Sequence, residues 1–322
     1  MRKPLQWILA ILALAWVGTA VAQPWPTKPI RVVVPFAAGG PADTLARFLG
    51  ARMTADLGQQ ILLDNKAGAG GTLGAADVAK SAGDGYTMLF SSTGALTIFP
   101  ALSPNLPYNA DKDLIAVGQA VTAPMVVVVS AKSPFGSLGE LVKHAKANPG
   151  KLNFASAGGG TTTQLGAELL KREAGIFITH IPYRGAAPAI TDLIAGTADL
   201  MVADVPAAVS FIKGGQLRAL AVTWPTRSQA LPDVPTTAEL GLKGVVSSTW
   251  YGLMAPAKTP PELVLRLNAA LNKALQQPET LTFFKAQGVE PAGGSAADFG
   301  QFVKAEAVKW GTLAKAVGAK LD

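Results

Sequence analysis

Two glycine-bearing stretches and two carboxylates are the parts of this chain whose types and spacing could do chemistry. Residues Ile30 to Arg47 read IRVVVPFAAGGPADTLAR: a β-branched apolar run, a Gly39-Gly40 turn, then a helix start with Pro41 and Asp43 in its first turn. Residues 156–163 read SAGGGTTT, ahead of a helix carrying Leu165, Leu169 and Leu170, with Thr161 and Gln164 at capping-box spacing. A strand, a Gly-rich turn and a helix N-terminus aim backbone N–H groups outward from the strand's C-terminal end. That is a ready anion site, to which Ser and Thr hydroxyls add directional bonds. Asp43 and Asp204 stand out among the carboxylates by position. Each lies where a strand gives way to a helix, so each could touch a ligand or simply favour its own helix start.

The spacing excludes several chemistries. No G-x-x-x-x-G-K-[ST] occurs, so there is no P-loop. Gly68-Ala69-Gly70-Gly71-Thr72-Leu73 puts leucine where G-x-G-x-x-G needs its third glycine, and Gly158-x-Gly160 ends at Thr163 in the same way; no dinucleotide cofactor is expected. No G-x-S-x-G elbow is present. The two histidines, His144 in a lysine-flanked helix and His180 in an apolar strand, read as a solvated and a core residue, and they form no metal-ligand pattern. The chain has no cysteine, which removes disulfides, thiolate sites and a cysteine nucleophile. Arg184 could fork onto a carboxylate or sit in an ion pair. Trp224, Trp250 and Tyr251 read as packing.

Elements must position these residues, and their pattern is α/β. The 322 residues open with Arg2-Lys3, an apolar run from Ile8 to Val17 and Ala20-Val21-Ala22, a secretory leader over 1–22 with the mature chain starting near Gln23. That expectation places the protein in the periplasm. Without Arg2 and Lys3 the formal charge of +7 falls to +5, which suits an anionic small molecule. No basic run with interleaved aromatics supports nucleic-acid binding. Strands at 30–34, 60–64 and 86–90 alternate with helices, predicting a parallel sheet. Further strands are expected at 114–120 and 125–129, broken by Thr122-Ala123-Pro124, and at 152–155, 176–181, 200–203, 217–222 and 250–255. The length exceeds a single core, so two lobes are expected. Residues 23–122 with 224–322 form the first and 123–223 the second, with crossings near 122 and 223. Four loops then fall at C-terminal strand ends, 36–43, 91–94, 156–163 and 204–208, where open α/β sheets collect ligands.

The same residues resemble a known family. VVPFAAGGPADTLAR, the SAGGG-TTT loop before Glu168, HIPYRGAAPAITDLIAGTADLMVAD, LRALAVTWPTRSQALPDVPTTAELG, WYGLMAP and EAVKWGTLAKAVGAKLD are similar to the substrate-binding proteins of tripartite tricarboxylate transporters, the Bordetella uptake gene family. The resemblance covers essentially the whole mature chain. It implies a two-lobed Venus-flytrap fold of type II-like periplasmic binding proteins, with parallel or mixed sheets and two interlobe crossings. It implies a monomer that binds a small carboxylate and serves membrane permease subunits. Carried onto this chain, the family's first-lobe loop falls on Phe36, Ala38, Gly39, Gly40 and Asp43. Its middle loop falls on Ser91, Ser92 and Thr93, its second-lobe loop on Ser156, Gly158, Gly160, Thr161 and Thr162, and its late aspartate on Asp204. Many relatives have histidine where this chain has Gln164.

The function expected is therefore extracytoplasmic capture of a carboxylate between two lobes, without catalysis. Two alternatives differ in class: an exported α/β hydrolase or lyase using Asp204 with a Ser or Thr, and a receptor that reports to a sensor kinase.

Overall fold

The computed structural model describes residues 25–103 and 105–319, so the expected leader and cleavage site lie outside the described residues. Strand β1 (Ile30–Val34) forms because Ile30, Val32, Val33 and Val34 are apolar toward both faces, and all four are buried. It lies between β2 (Ile61–Asn65) and β3 (Thr87–Ser92), parallel to both. The crossovers carry α1 (Pro41–Leu57) and α2 (Thr72–Ala79). Helix α1 starts after an extended Gly40 with Pro41 in its first turn and stops at left-handed Gly58. Its Leu45, Leu49 and Met53 join Val32, Phe90 and Leu253 in one apolar cluster.

The expected break at Thr122-Ala123-Pro124 is absent. Leu114–Ser130 is one strand of 17 residues, β4. Up to Pro124 it pairs antiparallel with β9 (Ser248–Pro256), and over Gln119–Thr122 also with β10 (Glu290–Gly293). From Met125 it pairs with β7 (Leu200–Asp204) and β8 (Leu217–Val222). Pro124 has no N–H to donate, and it sits where the strand changes partners, so the ladder tolerates it. One continuous strand thus joins two sheets.

The second sheet continues through β5 (Asn153–Ser156), which is parallel to β7 and to β6 (Thr179–Pro182). Strand alternation splits its core in two: Val127 and Val129 face a cluster with Phe154 and Leu170, and Val126 and Val128 face one with Ile190 and Met201. Helices α3 (Leu138–Ala147), α4 (Thr162–Ala174), α5 (Ala186–Ala195) and α6 (Val205–Lys213) cover it.

After β8 the chain does not return at once. Trp224, Leu231 and Val234 pack with the second lobe's Val126 cluster, and Leu242 and Val245 pack with its Val127 cluster. Just before β9, Ser247 Oγ donates to Thr223 Oγ1 at 2.9 Å. Helices α7 (Pro261–Leu275), α8 (Pro278–Gln287) and α9 (Ala296–Ala316) complete the first lobe. The lobes also touch through Leu165 of α4, which is fully buried with Ile98, Phe99 and Trp310. Burying a leucine is worth roughly 1.5–3 kcal/mol, so this contact is large enough to bias how the lobes sit.

Candidate functional site

The first loop is held from its flanks. Asp43, 3% exposed, accepts the Gly39 N–H at 2.9 Å, the Arg47 Nε at 2.9 Å and the Asn65 Nδ2 at 3.0 Å. Asn65, at the end of β2, also donates to the Phe36 carbonyl at 3.2 Å. Burial alone would raise the Asp43 carboxyl. The bonds from Arg47, Gly39 and Asn65, with the Arg47 charge, outweigh it and hold the carboxyl below the usual range. Asp43 therefore braces the loop, and the Gly39 N–H is already engaged. Ala37, Ala38 and Gly39 are exposed, while Phe36 and Gly40 are half-buried. The need for glycine falls on Gly39, at φ +80°; Gly40 is extended, and a Cβ there would meet only the Ala37 carbonyl at 3.4 Å.

The second loop is held from within. Thr161 caps α4, and its hydroxyl donates to the Gly158 carbonyl at 2.7 Å. Thr163 Oγ1 accepts the Ala157 N–H at 2.8 Å, and the Gly160 N–H donates to Gln164 Oε1 at 2.8 Å. Ser156 is fully buried, with its hydroxyl 2.6 Å from His180 Nε2. Gly158 and Gly160 both have positive φ, +131° and +72°, which lets the backbone fold back over these side chains.

Beside the second loop lies a floor where the two sheets meet. Thr249 of β9 donates to Asp204 Oδ1 at 2.6 Å, and Thr162 of α4 lies 2.6 Å from Thr249 Oγ1. Because Thr249 gives its hydrogen to Asp204, Thr162 must donate to Thr249. Burial pushes the Asp204 carboxyl up to about 6, against the hydrogen bonds from Thr249 and Tyr251. Burial first, then the Asp204 charge, raises the Tyr251 phenol as well. Thr93 joins the same floor, accepting the Trp250 N–H at 3.1 Å.

The expected residues thus fall into three groups. Phe36, Ala38, Gly39, Gly40 and Asp43 share one loop, and Ser156, Gly158, Gly160 and Thr161 share another. Thr93, Thr162 and Asp204 meet through Thr249 and Trp250. Ser92 sits in register with Tyr251, whereas Ser91 is on the Leu89 face, packed toward Trp250, and its buried hydroxyl has no partner. Thr249, Tyr251, Gln164 and His180 were not expected in the site. A run of hydroxyls, Ser247-Ser248-Thr249, before an apolar strand is the only sequence signal for the first of them. Two shallow grooves of about 330 and 340 Å3 run along β10 and α7–α8, and none of the loop residues lines them.

The profile of the tripartite tricarboxylate transporter family receptor matches residues 45–319. BugT of Bordetella pertussis is 37% identical over 320 residues, covering 98% of both chains. Among solved structures, Rpa4515 of R. palustris with adipate superposes with a TM-score of 0.88 at 33% identity, covering 92% of this chain and 99% of that one. MatC of Rhodopseudomonas palustris with bound malate does so with a TM-score of 0.83 at 34% identity, covering 90% and 99%. A match over most of the length, on a two-lobed α/β fold with these loops, settles the assignment: the chain belongs to the tripartite tricarboxylate transporter receptor family.

Proposed function

We propose that this protein is a periplasmic receptor that captures a small carboxylate between its lobes and delivers it to the permease subunits of a tripartite transporter. One lobe would comprise 25–122 with 248–319 and the other 123–247, linked by β4 and by the Ser247-Ser248 return. The observation that carries the reading is the pair of Gly-rich, helix-opening loops at the C-terminal ends of β1 and β5, the second joined through Thr162 to the Thr249–Asp204 floor between the sheets. The helix starts at Pro41 and Thr162 that follow the two loops carry positive dipole ends, which suit an anion such as a carboxylate. Relatives of the same fold have been solved with adipate and with malate, which supports a dicarboxylate. Among the described residues no helix is long and apolar enough to cross a membrane, in keeping with a protein that works beside a permease.

A ligand that bridges both lobes stabilises the closed arrangement by its differential affinity for it. No bond to the ligand needs to break, so the reading involves no catalysis. The test is mass spectrometry of ligand released from protein purified natively, followed by calorimetry with malate and adipate. Recovery of an intact carboxylate and saturable binding are expected. Turnover of the carboxylate, or the absence of any bound acid, would overturn the reading.

A further inference from the structure

Behind the second loop stand two side chains that bond its candidate ligand residues from the rear, Gln164 to Gly160 and His180 to Ser156. The direction of each bond among them follows from one unambiguous donor. The Gly160 N–H can only donate, so the Gln164 atom 2.8 Å from it is Oε1. The other amide atom, Nε2, then brings hydrogens toward His180 Nδ1 at 3.3 Å. A donor there makes Nδ1 an acceptor, and neutral His180 carries its hydrogen on Nε2. Nε2 lies 2.6 Å from Ser156 Oγ and donates to it. The Ser156 hydrogen is left for the Gly158 carbonyl, 3.1 Å away. Phe154 stacks on the imidazole, centroids 4.7 Å apart and planes 18° from parallel, which fixes the ring plane.

This direction rules out the reading that a Ser–His contact invites. A histidine that activates serine must accept the hydroxyl hydrogen at Nε2. Here Nε2 is the donor, and Ser156 is fully buried with its own hydrogen turned to the backbone.

We propose that Gln164 and His180 are positioning residues for the ligand loop, a strut that aims Gly160 and Gly158 only while His180 is neutral with its hydrogen on Nε2. A charged imidazole would present a hydrogen at Nδ1 to the Gln164 amide hydrogens. Turning the amide over would satisfy the ring but set amide hydrogens against the Gly160 N–H. The first arrangement loses the bond between Gln164 and His180, and the second loses the bond to the loop at Gly160. The ionisable side chains on the elements packed around His180 are the Glu168–Lys171 pair of α4, Asp199 bonded to the Asn153 N–H of β5, Asp192 bonded to Tyr183, and exposed Arg184 after β6. The proposal rests on the reading that this loop binds carboxylate, but its first test does not.

That test is the tautomer of His180 by long-range 1H–15N correlation on the labelled, ligand-free protein at pH 8. A hydrogen on Nε2 is expected; a hydrogen on Nδ1 would overturn the strut. Gln164→Glu keeps an acceptor for Gly160 but places an oxygen against Nδ1, so Nδ1 should gain a hydrogen; an unaltered Nε2–H form would also overturn it. In the second arm, calorimetry compares Gln164→Leu with the natural chain, using malate and adipate as probes. A roughly tenfold loss of affinity is expected, because the Gly160 N–H loses its acceptor; equal affinity would overturn the positioning role. If the natural chain binds neither acid, the carboxylate reading fails while the tautomer measurements still decide the strut.

Discussion

The two loops perform the same local manoeuvre, strand into Gly-rich turn into helix, yet they are fixed in opposite ways. The first is clamped by one charge at its helical end: Asp43 gathers Gly39, Arg47 and Asn65 around one buried carboxylate. The second is neutral and self-tied, with Thr161, Thr163, Ser156 and Gln164 all bonded within the loop or to His180. A single ion centre concentrates the stability of its loop in one residue, whereas a set of hydroxyl bonds spreads it. The comparison also predicts which loop adjusts. Hydroxyls rotate to suit a ligand, but a carboxylate with three fixed donors does not.

Breaking each brace measures the difference. Asp43→Ala leaves the Gly39 N–H and Asn65 without acceptors and Arg47 without its partner, and should lose about 3 kcal/mol in equilibrium urea unfolding. Thr161→Ala removes a cap and one of several loop bonds and should lose only about 1 kcal/mol. Equal losses at the two sites would refute the contrast between a concentrated and a spread brace.

The floor responds to pH in a way that neither loop should. In the folded protein the Asp204 carboxyl stands at about 6, above its ordinary value of 3.8, so the folded state holds the proton more tightly than the unfolded chain. Its contribution is present in full below about pH 4 and is lost as pH rises through about 6. Over that window Asp204 should remove about 2–3 kcal/mol of stability. Asp204→Asn, which stays neutral, should flatten this part of the stability–pH curve; a curve with the same slope in both proteins would contradict a raised Asp204. Asp43 has the opposite sign. Its lowered carboxyl stabilises the fold above its ordinary range, and that contribution disappears only as acid protonates it.

Two neighbouring glycines also separate. Gly39→Ala forces a side chain into left-handed backbone and should lose about 1–2 kcal/mol, although space for the Cβ is open. Gly40→Ala should leave unfolding within about 0.5 kcal/mol of the natural chain, since its backbone is extended. If Gly40→Ala proves the more damaging of the two, the loop geometry described for the first lobe is incorrect.

Much of the scaffold was legible in residue order. The apolar run at 30–34, Pro41 in the first turn of α1 and Thr161 at the cap of α4 are local signals, read within a few residues. The site was legible in part. The positions of Gly39, Gly158 and Gly160 followed from the need for tight turns, and Asp204 from the strand end before α6. That Asn65 also braces Asp43 was not legible, because Asn65 reaches it from another strand.

By itself the sequence determined the α/β class, the helix starts, the two Gly-rich loops and the absence of thiol, metal and phosphate motifs. All of these depend on periodicity, capping and spacing, which act between near neighbours. Only the tertiary structure decided that β4 runs unbroken through Pro124, that Ser247 bonds Thr223 across 24 positions, and that Thr249 and Tyr251 share a floor with Asp204. Those outcomes come from strand pairing and burial between residues dozens of positions apart. A side chain's partners there are set by which strands lie side by side, and no local pattern records that.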